Sequence, residues 1–405
     1  MYQYHTLPNG IKSVFSQSNS AVAYSGVYVN VGSRDEEGPM EGMAHFIEHS
    51  IFKGTTHRKS YHIQSRIDGV GGELNAYTTK EETCIYATAL NIHLGRCLEL
   101  FSDLLFNSTF PQNEIDKEKE VVIEEINSYK DYPAELIYDE FEELAYGDHP
   151  IAHNILGNKK NVRHFNNPQI KEFFDSHYTT DKMVISVVAN IEFKKLIHLC
   201  EQYFGAYPLR ASQPTRSVAP VYTPFTKTVN RHTHQVHALI GCAAPNIYDE
   251  RKVAFSLLNN IIGGPAMNSR LNVAIREKYG FCYTIESQYT PFTDAGLFYI
   301  YAGLDADAQD KATELILAEM KVLSRIPLTP SQLHNAQQQY IGQMTINNDS
   351  GLNEMQSIGK AYLTFDHVDS MEDMARDIMN VTIDDIKSLA QETFRSDNIS
   401  FLYYK

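Results

Sequence analysis

The sequence predicts an α+β protein built from two similar domains, and three observations lead there. The chain has 405 residues, beyond the size at which a single hydrophobic core stops growing. Apolar residues make up 43% of it, enough to fill two cores of about 200 residues each. Strand-like and helix-like patterns also recur in the same order with a period of roughly 210 residues, the mark of an internal duplication. Between 206 and 226 the segment AYPLRASQPTRSVAPVYTPFT holds four prolines and few large apolar side chains, the composition of an extended connection. The expected division is therefore a first domain over 1–208, a linker over 209–226 and a second domain over 227–405.

Taken in order, Asn9-Gly10 reads as a hairpin turn, and residues 21–31 (AVAYSGVYVNV) as a strand that ends at Gly32-Ser33. Pro39 and Gly42 precede a helix over about 40–53, stopped near Gly54. Helical periodicity follows over about 60–69, 91–107, 112–130 and 133–146, with a strand at 84–89 (CIYATA) and a buried strand at 183–190 (MVISVVAN). After the linker the pattern starts again, with a strand over 235–243, a turn near Asn246, a helix over 250–262 and then Gly263-Gly264. The second helix has Ser256, Asn259 and Asn260 where the first has His45, Glu48 and His49. Metal or acid–base chemistry therefore belongs to the first half alone.

Fifty acidic residues against 35 basic give a formal net charge of -15, which disfavours binding to nucleic acid or anionic membrane, because phosphate recognition needs clustered Lys and Arg. A basic or peptide-like partner suits this charge, and so does plain solubility. There is no apolar run of 18 residues, and the start MYQYHTLPNGIKS lacks the cationic and apolar regions of a signal peptide. A cytoplasmic protein that neither spans nor binds a membrane is expected. Five widely spaced cysteines with no C-x-x-C pair suggest neither a disulfide framework nor a thiolate metal site.

The chemistry concentrates in Gly42–Phe52 (GMAHFIEHSIF), apolar nearly all round except for His45, Glu48 and His49. Residues four apart share a helix face, so the two imidazoles converge with Glu48 beside them. Burying three such groups without a partner costs several kcal/mol, and a divalent cation is one partner that offsets it. Two imidazoles and a carboxylate suit zinc and leave one coordination position open. The order H-x-x-E-H is the inverted form of the H-E-x-x-H zinc motif.

The third ligand is sought in residues 112–130, where Ile115, Val122, Ile126 and Tyr129 form an apolar stripe. Projected at about 100° per residue, Glu118 and Glu125 fall at the edge of that stripe and Glu124 nearly opposite it. Glu125 can face inward, and Glu118, two turns earlier on the same edge, can hydrogen-bond a ligand. A solvated acidic face is the plain alternative for this helix.

At these residues the chain resembles the pitrilysin family of inverzincin peptidases, in the branch of the mitochondrial processing peptidase β-subunit and its compact bacterial homologues. The likeness runs almost end to end, through His45–His49, Phe52–Thr55, Gly71–Thr78, Glu118–Glu125, Gly263-Gly264, Ser269–Leu271 and Arg276–Tyr283. It implies two domains, each a mixed β-sheet packed against helices, together half of a clamshell that a homodimer completes. It implies one zinc ion per chain held by His45, His49 and Glu125, with Glu48 as general base on a zinc-activated water and Glu118 in support. The spacing from His49 to Glu125 looks like the family's. Asn75 and Ala76 match a strand on which a substrate peptide lies by β-addition. Arg276 and Tyr283 match a pair that holds substrate near the scissile carbonyl, here supplied in trans by the second protomer. Without the resemblance, Arg276 reads as a surface salt bridge and Tyr283 as a core aromatic. Phe281-Cys282 stands where the family pattern often has Leu-Ala. The implied function is a zinc metalloendopeptidase acting on peptides or unfolded, basic segments. The alternatives are a non-catalytic binding or assembly subunit of the same fold and an amidase for small molecules.

Overall fold

The computed structural model describes residues 2–211 and 216–405. They form two compact units, each a mixed sheet covered by helices. The first sheet contains β1 (Gln3–Thr6), β2 (Lys12–Gln17), β3 (Val22–Val29), β4 (Glu73–Thr78), β5 (Thr83–Leu90) and β6 (Met183–Ala189) in the spatial order β1-β2-β6-β3-β5-β4. The second contains β7 (Thr226–Val229), β8 (Val236–Ala243), β9 (Cys282–Pro291), β10 (Gly296–Leu304) and β11 (Ser400–Tyr404) in the order β7-β11-β8-β10-β9. Without the extra edge strand β1, the two orders are one permutation. In each, the first strand pairs parallel with the last and every other neighbour is antiparallel. The duplication expected from the sequence is thus present in the topology.

Strand alternation decides what each face buries. In the first sheet Phe15, Val27, Val29, Ile85 and Val187 point to one face, where they pack with helices α1 (Met43–Ser50), α2 (Ser60–Asp68), α3 (Leu94–Asn107) and α4 (Gln112–Tyr129). Val14, Tyr28, Cys84, Val184 and Val188 point to the other face and meet Met355, Ile358 and Tyr362 of the helix Gly351–Phe365. Covered on both sides, β6 is buried along its whole length, which is why it reads in sequence as a continuous apolar run. In the second sheet Phe298, Ile300 and Ala302 face the helix Lys252–Gly263, whereas Leu297, Tyr299 and Tyr301 face Ile137 and Phe141 of helix α5 (Pro133–Tyr146).

The halves therefore exchange helices. Unit one comprises Met1–Asn127, His153–Arg216 and Ile346–Ser370, and unit two comprises Ser128–Ala152, Ser217–Thr345 and Met371–Lys405. This corrects the contiguous division into 1–208 and 227–405. The outer layer of each sheet comes from the other half of the chain, because an amphipathic helix packs on whatever apolar face the chain path brings it to. Of the expected linker 209–226, Ser212–Thr215 lie outside the described residues, and the described remainder is irregular up to β7. Among the described residues no helix is long and apolar enough to cross a membrane.

The helix Gly351–Phe365 lies flush on its sheet because two of its contact residues lack side chains. A Cβ on Gly351 would stand 2.4 Å from the ring of Tyr24, and one on Gly359 would stand 2.4 Å from the ring of Tyr28. The hydroxyl of Ser186 donates to the Met355 carbonyl at 2.6 Å, tying the helix to β6. Gly359→Ala is expected to destabilise the protein by about 1–3 kcal/mol through overpacking. Gly342→Ala, on a helix where a Cβ meets nothing within 4 Å, should stabilise by up to about 1 kcal/mol. Urea denaturation of the two variants checks the opposite signs.

Candidate metal centre

Helix α1 presents the H-x-x-E-H segment to the interior of unit one, and its start is held from outside itself. The preceding residue, Gly42, adopts φ 91° and gives the helix no side-chain cap. Instead the buried Glu36 carboxylate accepts the N–H groups of Gly42 and Ala44, each at 2.7 Å. It thereby satisfies donors that a helix N-terminus leaves open. Burial pushes the Glu36 carboxyl well above the usual range, against the pull of those two N–H groups. Gly157, at φ 67°, packs its backbone on Gly42 so closely that a Cβ would lie 2.4 Å from the Gly42 Cα. Only glycine tolerates both the left-handed conformation and that approach.

From this anchored helix His45 and His49 project side by side, with ring centroids 4.6 Å apart. Glu125 of α4 faces both, its Oε2 lying 3.6 Å from His45 Nε2 and 3.3 Å from His49 Nε2. One donor atom from each of the three residues fits within a span of 4.8 Å. Glu124, one position away on α4, is exposed, as the helix projection predicts.

Glu118, buried two turns earlier on the same side of α4, divides its oxygens between two partners. Oε1 lies 2.9 Å from His49 Nδ1, and Oε2 lies 2.7 Å from Lys53 Nζ. A carboxylate on Nδ1 selects the tautomer that leaves Nε2 free as a ligand. His45 Nδ1 is buried and has no hydrogen-bond partner. Burial, reinforced by the charge of His49, pulls the His45 imidazole down to about 4, while Glu125 opposes this. For His49 burial also pulls downward, but hydrogen bonds to Glu118 and Glu125 prevail and raise it to about 9. Glu125 is held low chiefly by its hydrogen bond to His49.

Glu48 sits half-buried between the two histidines in sequence, and burial raises its carboxyl, with Thr78 and His49 opposing. A carboxyl shifted toward neutrality beside a cluster of metal-type donors is suited to proton transfer. Two imidazoles, one carboxylate and no thiol make a donor set that fits zinc, with a coordination position left over.

Of the remaining residues singled out in the sequence, Asn75 and Ala76 lie on β4, the edge strand of the first sheet. Asn75 is exposed, and its side-chain oxygen accepts the Ala76 N–H at 2.9 Å. Arg276 and Tyr283 belong to unit two. Arg276 lies in a π-helical turn, Asn272–Glu277, and its guanidinium stands 5.7 Å from the ring centroid of Tyr283, which is 85% exposed. Tyr283 is thus no core aromatic. Sequence reasoning missed Glu36 and Lys53. Lys53 could have been found, since it stands four residues after His49 at the end of the same helical segment. Glu36 has no local signature, because its partners are peptide groups six and eight residues away.

Comparison with known proteins agrees with this architecture. Residues 13–159 match the family model described as insulinase, peptidase family M16, and residues 164–340 match the peptidase M16 inactive domain. The chain is 31% identical to the uncharacterized zinc protease YmxG of Bacillus subtilis over 98% of its own length and 97% of the relative's. It is 32% identical to an uncharacterized zinc protease of Streptomyces coelicolor, covering 96% and 86% of the two chains. A crystal structure of a protease from Helicobacter pylori shares the fold with a TM-score of 0.93 at 23% identity, covering 100% of this chain and 99% of that one. The M16 inactive domain structure from Pseudomonas fluorescens has a TM-score of 0.92 at 20% identity, over 100% and 98%. The chain belongs to peptidase family M16, the insulinase family.

Proposed function

We propose that the protein is a zinc-dependent endopeptidase in which His45, His49 and Glu125 hold the metal and Glu48 is the general base. The observation that supports this most is the convergence of those three donors around Nε2 of both histidines and Oε2 of Glu125, with half-buried Glu48 on the same helix. Zinc held by these residues would lower the pKa of a coordinated water and polarise a carbonyl. The remaining work falls to the chain's own residues. Glu48 takes a proton from the attacking water and returns it to the departing amine, a task matched to a carboxyl whose pKa burial has raised. Glu118 fixes the His49 ring, and Lys53 keeps Glu118 ionised beside it. The open edge of β4 at Asn75 and Ala76 accepts an extended peptide through backbone hydrogen bonds, which asks little of the substrate's side chains.

In this reading the active unit is a homodimer, and Arg276 and Tyr283 of one protomer grip the substrate cleaved by the other. The net charge of -15 favours basic, unfolded peptides. Elemental analysis with and without chelator, followed by digestion of a mixed peptide library, tests the reading as a whole. One zinc per chain and chelator-sensitive cleavage are expected. A metal-free chain that binds peptides without cleaving them points instead to the binding subunit.

Three outcomes follow for variants. Glu48→Gln should retain zinc and peptide binding while kcat falls at least about 100-fold, and wild-type turnover in that variant would remove Glu48 from its role. Glu118→Ala should weaken zinc affinity by about 10- to 100-fold, read by competition with a chromogenic chelator. Mixing inactive Glu48→Gln chains with inactive Arg276→Ala chains should restore activity up to about a quarter of wild type, since half the dimers are mixed and each has one complete site. Two chains that stay inactive together sink the sharing of the site between protomers.

A further inference from the structure

Unit two contains a neutral counterpart of the metal centre. The helix Lys252–Gly263 follows β8 as α1 follows β3, and the helix Pro330–Asn348 corresponds to α4. Aligning the buried Ile115 and Leu333 at the start of these helices sets Gln343 against Glu125, just as Asn260 stands against His49. The counterparts still meet, because Asn260 Nδ2 donates to Gln343 Oε1 at 2.6 Å. Gly264 makes room for them, since a Cβ there would lie 2.4 Å from Asn260 Oδ1.

Beside this pair lies a cavity of about 230 Å³ whose polar lining includes Asn260, Ser269, Arg270, Gln332, Asn335 and Gln339. Ser269 is only 4% exposed, and its hydroxyl has no hydrogen-bond partner. Arg270 has its charge met by Glu319, to which Nε and Nη2 donate at 2.9 and 2.8 Å. Gln339 and Asn268 exchange two hydrogen bonds of 3.1 Å, which leaves each carboxamide one further N–H and spare lone pairs. The lining therefore offers donors and acceptors together and no uncompensated charge. A carboxylate or ammonium entering it would lose hydration without gaining a counter-ion, whereas a primary carboxamide, itself both donor and acceptor, meets complementary groups.

We propose that this pocket is a subsite for the carboxamide side chains of Gln or Asn in a bound peptide, the metal site's duplicate having kept a polar contact between its two helices and exchanged its charge for amides. The proposal rests on the peptide-substrate reading above.

The test uses the full-length, zinc-loaded Glu48→Gln chain and three fluorescein-labelled peptides, identical except for Gln, Glu or Leu at a set of scanned positions. In fluorescence anisotropy the Gln peptide should bind about tenfold more tightly than the other two, the effect of one satisfied buried carboxamide. In Asn335→Leu, at an exposed position where folding is not at risk, and in Ser269→Ala, the Gln peptide should bind no more tightly than the Leu peptide. Equal binding of all three peptides, or a Gln preference that survives both variants, overturns the subsite. Hydrolysis of the same peptides by the wild-type chain is read separately. Cleavage without Gln preference defeats only the subsite, and Gln preference without cleavage defeats only the peptidase assignment.

Discussion

Everything at the centre of unit one depends on offsetting the cost of sending three ionisable side chains into the interior on one short apolar helix. Each support found around α1 addresses a part of that cost. Glu36 satisfies the backbone donors at its start, the Gly42–Gly157 contact sets its direction of entry, and Glu118 links the far histidine to Lys53. A carboxylate shared between an imidazole and an ammonium is shielded from water yet electrically compensated, so it can orient a ligand without itself becoming an unpaired buried charge. Both imidazoles meet Glu125 through Nε2, yet they shift in opposite directions, because burial and the charge of His49 prevail at His45 whereas hydrogen bonds to Glu118 and Glu125 prevail over burial at His49.

The parts of this design governed by helical periodicity were legible in the sequence. The i, i+4 spacing of His45 and His49, and the choice of Glu125 over Glu124, both follow from about 100° of rotation per residue: His45, His49 and Glu125 converge and Glu124 is exposed. The strands at 84–89 and 183–190 and the helices around them also lie where their patterns suggested. What could not be read were pairings between a side chain and distant backbone, as with Glu36, and the destination of an amphipathic helix. Residues 133–146 announce a helix with one apolar face, but nothing in that face says which sheet will receive it. Proximity in sequence suggested the first sheet, and the chain path delivered the second.

Duplication shows how little of a site's chemistry is dictated by its fold. The two sheets share one strand permutation, and in both units the same pair of helices brings two polar side chains into contact. In one unit these are imidazole and carboxylate, in the other two carboxamides. The backbone arrangement accommodates both pairs, with the imidazole and carboxylate 3.3 Å apart in one unit and the carboxamides hydrogen-bonded at 2.6 Å in the other.

The exchange of outer helices has a consequence for how the protein is made. The sheet that supports the metal-type donors cannot cover its second face until residues 351–365 leave the ribosome. At about 5–20 residues per second, the first unit waits roughly ten seconds to half a minute after its last N-terminal strand, β6, is made. The arrangement acts as a completion check. A truncated chain retains every proposed metal ligand but exposes the apolar face formed by Val14, Tyr28 and Val184, so a fragment with the residues for chemistry lacks the stable sheet that holds them in place.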